Sequence, residues 1–135
     1  MRKSLGIAVA LLALGACTAR GQQPIEHTKD DLATVKARVT EGKALLVDVR
    51  EPQEWKAGHL KDAKSLPLSQ IKAGLDAAEL AKELPKDKPV YVHCAAGRRC
   101  LAAAKTLKEL GYDVRPLKPG FSALLEAGFP EAKKD

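Results

Sequence analysis

The chain has 135 residues and a formal charge of +6, with 45% hydrophobic, 30% charged and 4% aromatic residues. That is the length of one domain, whose core must be built from Leu, Val, Ile and Ala rather than from rings. Its 23 Lys and Arg are scattered and not interleaved with aromatics, which excludes nucleic acid as the expected partner and leaves a small anionic ligand as the better fit.

The first element is an address. "MRKSLGIAVALLALGAC" has a basic start, an apolar stretch from Leu5 to Leu14 and a small-residue end. The apolar stretch is too short to cross a bilayer, which takes about 20 residues. Its end, "LGAC", resembles a bacterial lipobox. The resemblance implies a signal peptide over residues 1–16, cleavage before Cys17 and acylation of Cys17. The product is an exported, periplasmic protein held at the membrane by a lipid anchor. Thr18, where an aspartate would signal inner-membrane retention, points to the outer membrane. Ordinary signal cleavage is the alternative and leaves Cys17 lost or free. Residues 17–27 read as a polar tether, and His27 within it is given no role.

Thr28 opens a capping box with Asp31, and Leu32, Val35 and Val39 repeat at helical spacing until Gly42 closes the helix. "ALLVDV", residues 44–49, is a strand. "EPQEWKAG" is one helical turn with Pro52 at its start, and "AKSLPL" a short extended piece. Leu68, Ile71, Leu75 and Leu80 mark a helical region that Gly74 interrupts. "PVYVHC", residues 89–94, is a second buried strand. Ala103, Leu107 and Leu110 then put one apolar face on a helix from about Arg98 to Leu110, which Gly111 ends. "YDVRPL" is a further strand and "FSALLEAG" a last helix. Strands alternating with helices predict an α/β domain with a mainly parallel central sheet flanked by helices. Such sheets carry their sites at the carboxyl ends of the strands, and Cys94 falls at one of them.

A strand that runs into a helix through a tight loop turns several backbone N–H groups into one concavity, and the helix N-terminus adds partial positive charge. "CAAGRR" suits such a loop. Ala95 and Ala96 are small, Gly97 admits left-handed backbone, and Arg98 and Arg99 set two permanent charges at the rim. A free cysteine of pKa ~8.5 is about 3% thiolate at neutral pH, and a pKa two units lower makes it about three-quarters thiolate. The competing readings are a small buried hydrophobe and half of a Cys94–Cys100 disulfide, which an oxidising compartment would favour. Two cysteines and His93 offer neither a standard metal spacing nor a fourth ligand, so no metal and no cofactor are expected.

Three stretches, taken in order, resemble a single rhodanese domain, the fold of thiosulfate sulfurtransferases. They are "LVDVREPQEWKAGHLKDAKSLPL", "VHCAAGRRC" and "LKPGFSALLEAGFP". They carry the Asp-x-Arg and Gly-His-Leu elements, the Cys-x-x-Gly-x-Arg loop and the closing glycine motif, and the domain spans about residues 28–131. Pro119 stands where a first glycine is usual, and Leu124 where a tryptophan is usual.

The resemblance implies that Cys94 is the nucleophile, which takes the outer sulfur of thiosulfate and holds it as a persulfide. The N–H groups from Ala95 through Ala96, Gly97, Arg98 and Arg99 to Cys100 would form its cradle. Arg98 and Arg99 would orient the anionic donor, and a thiol or cyanide would accept the sulfur. Asp48 and Arg50 read as a supporting brace, Glu54 as the partner of a nearby base, and Trp55 as packing. His59 reads as structural, and His93 as pointing away from the loop. Related phosphatases and arsenate reductases carry a loop one residue longer, so phosphate chemistry is disfavoured. Cys100 has two readings: it replaces a small hydroxyl residue at the helix start, or it partners Cys94 in a thiol-disulfide or sulfur-carrier module.

Overall fold

The computed structural model describes residues 23–134. The expected leader, the lipid site at Cys17 and the first part of the tether lie outside the described residues. In chain order the elements are α1 (Leu32–Thr40), β1 (Leu45–Asp48), α2 (Pro52–Ala57), β2 (Ala63–Ser65), α3 (Leu68–Ala73), α4 (Ala77–Glu83), β3 (Val90–His93), α5 (Arg99–Glu109), β4 (Val114–Pro116) and α6 (Phe121–Glu126). The strands form one sheet in the order β2-β1-β3-β4, and every pairing is parallel. The order runs outward in both directions from the β1–β3 pair, so the crevice of this sheet opens at the carboxyl ends of those two strands.

Strand alternation sorts the side chains into two layers. Val47, Val49, Val90, Val92 and Cys94 face one cluster with Leu68 and Ile71 of α3, Leu80 of α4 and Cys100, Ala103, Ala104 and Leu107 of α5. Leu46 and Tyr91 face the other, with Val35 of α1, Leu117, Leu124 of α6 and Phe129. Leu124, in the place of the tryptophan usual in the family, is fully buried there. The region from Leu68 to Leu84 is two helices, broken at Gly74 with φ +110°.

One boundary differs from expectation. Asp31, not Thr28, caps α1, its carboxylate accepting from the Thr34 N–H at 2.9 Å. Thr28 is committed elsewhere, its own N–H donating to Pro116 O at 2.8 Å beside the sheet. The chain ahead of α1 is therefore laid against β4, and the free tether expected up to His27 ends earlier than its composition suggested.

The polar end of the second layer is held by one buried ion pair. Arg50 Nη2 donates to Asp48 Oδ2 at 2.8 Å and to Gly58 O at 2.8 Å, while Nε donates to both Asp48 oxygens. The Arg50 guanidinium also lies 4.0 Å from the centre of the Phe121 ring at the start of α6. Asp48 is wholly buried, and removing one partner of such a pair leaves an uncompensated charge. Asp48→Asn therefore lowers stability by about 3 kcal/mol in denaturant unfolding, whereas Glu41→Gln, in the exposed pair with Lys43, changes it by less than about 1 kcal/mol.

Candidate active site

Cys94 follows directly on β3, and the loop from Ala95 to Arg98 carries the chain into α5. Gly97 has φ +81°, which turns its N–H back onto Cys94 Sγ at 3.1 Å. A side chain at position 97 would also stand 2.5 Å from Lys118 O, so both backbone freedom and space call for glycine there. Gly120 closes the loop from the other side. A Cβ on it would lie 1.8 Å from Ala95 O, and the next N–H, of Phe121, donates to Cys94 O at 2.9 Å.

The Cys94 residue is 1% exposed, with Ala95 and Ala96 exposed on the lip above it. Its pKa is lowered to about 5. The neighbouring Cys100 thiol is the largest cause, burial opposes it, and the N–H groups of Cys100, Ala96 and Gly97 add to the lowering. The Cys100 pKa is pushed strongly up, first by the Cys94 sulfur it serves and then by burial. The two shifts run in opposite directions, which favours the charge on Cys94 and the proton on Cys100. Both are free cysteines. Cys100 Sγ also stands 3.1 Å from Gly97 O and 3.3 Å from Leu117 O, so its single proton has more than one acceptor in reach.

The arginines divide. Arg99 is half-buried and makes a two-pronged pair with Glu54 of α2, Nη1 to Oε2 at 2.6 Å and Nη2 to Oε1 at 2.8 Å. This pair holds the Glu54 carboxyl down at about 2, the Arg99 hydrogen bond being the main cause. Glu54 thus pairs with a base as expected, and Arg99 is already engaged rather than free to receive a donor. Arg98 is exposed at the N-cap of α5. Neither arginine is among the main causes of the lowered Cys94 pKa, which are the amides and Cys100.

Trp55 stacks on His59 with centroids 3.7 Å apart, and His59 Nδ1 lies 3.0 Å from Trp55 O, which accounts for both rings structurally. His93 lies on the sheet face opposite Cys94, buried, with Nε2 3.7 Å from Asp48 Oδ2. Burial lowers its pKa, so the ring is neutral. Among the described residues no cluster of three His, Cys, Asp or Glu is placed to hold a metal ion. His27, given no role from sequence, has Nε2 2.6 Å from Gly97 O. Sequence carried no signal for this contact, since 70 residues separate the partners.

The Rhodanese-like domain family matches residues 31–127. The chain belongs to that family. This rhodanese-like domain is 42% identical over 80 residues to the uncharacterized protein YqhL of Bacillus subtilis, covering 58% of this chain and 59% of the relative. The chain thus spans less than two thirds of that relative's length. A rhodanese-related protein from Thermoplasma volcanium superposes with a TM-score of 0.63 at 26% identity, covering 79% of this chain and 98% of its own. A human single-domain sulfurtransferase does so with a TM-score of 0.59 at 25% identity, covering 77% and 96%. The family includes sulfurtransferases, and sulfur transfer in general is the chemistry these likenesses support.

Because the thiolate is the reactive form, alkylation of Cys94 by iodoacetamide rises with pH around a midpoint near 5 and is level by neutral pH. Cys100→Ala removes the largest stabiliser and moves that midpoint up by about one unit or more. Cys100→Ser retains a donor and moves it less.

Proposed function

We propose that this rhodanese-like domain transfers sulfane sulfur from thiosulfate, or a donor of the same anionic kind, to a thiol through a persulfide on Cys94. The observation that carries the reading is a buried Cys94 sulfur at the loop before α5, with the Gly97 N–H donating to it at 3.1 Å; a pKa lowered to about 5 favours its thiolate form. In the first step the thiolate attacks the outer sulfur of thiosulfate. A new S–S bond forms at Cys94, the old S–S bond breaks, and its electron pair leaves with sulfite. The persulfide anion occupies the same concavity of backbone donors, which act as an oxyanion hole acts on oxygen. A thiolate, or cyanide in an assay, then takes the outer sulfur and returns Cys94 to thiolate.

No general base is required, because the nucleophile is already ionised at neutral pH. Arg98 is the exposed cation on the rim and suits the approach of a dianion. The Arg99–Glu54 pair braces the start of α5. The five-residue step from Cys94 to Arg99, closed over by Gly120, favours a sulfur atom over a tetrahedral phosphate.

A second reading, thiol-disulfide exchange between Cys94 and Cys100, has in its favour that both free thiols belong to one buried cluster. Intact mass separates the two. The reduced chain treated with thiosulfate gains about 32 Da, loses it with cyanide, and gains nothing as Cys94→Ser. A loss of about 2 Da abolished by either cysteine change would instead establish the disulfide route.

The leader motif supports export to the periplasm and a lipid anchor at Cys17, in the outer membrane. Several acyl chains hold a protein stably where one does not. Expressed in a bacterium, the chain fractionates with membranes, and Cys17→Ser moves it to the soluble fraction.

A further inference from the structure

The segment ahead of α1 is fastened at several points. The Thr28 N–H donates to Pro116 O at 2.8 Å, and Ile25 packs on the apolar cluster that contains Cys94 and Cys100. Asp30 accepts from Tyr91 Oη at 2.6 Å, from Arg115 at 3.1 Å and from Arg38 at 3.2 Å. These contacts bracket His27 and carry its ring to the loop, where Nε2 meets Gly97 O at 2.6 Å. A carbonyl oxygen only accepts, so Nε2 bears the proton and donates.

Gly97 is where the hydrogen bonds of the loop converge. Its N–H serves Cys94 Sγ, and its carbonyl lies within reach of Cys100 Sγ. The same oxygen is 3.1 Å from Cys100 Sγ, which also reaches Leu117 O at 3.3 Å. The imidazole N–H makes the shorter of the two contacts on Gly97 O and so anchors the residue whose own N–H turns onto the sulfur. A hydrogen bond to a charged atom is roughly twice as strong as a neutral one, so the placing of that N–H bears directly on how readily Cys94 ionises.

We propose that His27 is a positioning residue of the sulfur cradle, which satisfies Gly97 O, fixes Gly97 in its turn and thereby holds the Gly97 N–H on Cys94 Sγ. The residue comes from outside the stretch that matches the family, residues 31–127. It touches no reacting atom and acts only through Gly97. The inference rests on Cys94 as the working nucleophile, but its test does not depend on sulfur transfer.

The test follows alkylation of Cys94 against pH in the reduced full chain, with the Cys94 peptide quantified by mass. His27→Phe keeps a ring and loses the donor. His27→Gln keeps an N–H near the Nε2 position. For His27→Phe the midpoint rises by about one unit, so the rate at pH 5 falls about five-fold, while His27→Gln stays near the parent. Superimposed profiles for parent and His27→Phe overturn the inference. An equal rise in both His27 variants also overturns it, by showing that packing of the imidazole and not its hydrogen bond matters. If thiosulfate adds no mass to the parent while the profiles shift as stated, the sulfurtransferase reading fails and the positioning role stands.

Discussion

A sulfur anion shielded almost wholly from water is the constraint on which this structure turns. Taking charge out of solvent is unfavourable unless donors replace the water, and burial does push the Cys94 pKa up. The fold meets that cost with uncharged groups. Amides of one short loop and the Cys100 thiol lower the Cys94 pKa, while Arg99 is paired with Glu54. An anion held by dipoles differs from one held by an ion pair, because neutral donors leave it free to react. A guanidinium directly on the sulfur would stabilise the thiolate and the incoming dianion alike, and would lower the nucleophilicity it was meant to supply.

The two faces of the sheet divide the work. On the face of Cys94 the neighbours are valines, alanines and leucines, which keep the dielectric low and make each N–H count for more. On the other face, Asp48, Arg50 and His93 form a buried polar group around the carboxyl ends of β1 and β3. That group reaches the site mechanically. Arg50 lies on Phe121, and the Phe121 N–H holds Cys94 O. Within the described residues neither ring nitrogen of His93 has a hydrogen-bond partner, which suits a ring that stays neutral beside an already compensated carboxylate.

Much of this was legible from sequence. The run of Val90, Val92 and Cys94, the glycine at 97 and the spacing of Ala103 and Leu107 placed the nucleophile on a strand, its loop and its helix. Asp48 and Arg50, two residues apart, announced their own pair. What stayed hidden was set by contacts between distant segments. Two adjacent arginines look alike in sequence, and only the position of α2 decides that Arg99 meets Glu54. Thr28 has the right spacing for a cap, but a carboxylate three residues later competes for the same role while β4 claims the threonine's backbone. His27 sits in a stretch whose composition reads as linker, and nothing local in "PIEH" marks it. The effect of Cys100 on Cys94 was missed for a different reason. Their spacing suggested oxidation, whereas both thiols are free and Cys100 lowers the pKa of Cys94.

The contact between Gly120 and Ala95 has a consequence for how such a site can change over time. The Ala95 carbonyl already occupies the place a Cβ at 120 would take, 1.8 Å away, so the loop cannot bulge in that direction. A residue inserted on that side would press on the start of α6, and with it on the Phe121 ring over Arg50. Three segments far apart in the chain would have to shift together. Descendants of this chain could therefore vary their exposed rim one substitution at a time, while a longer loop on this side would need Gly120 and the start of α6 to change with it.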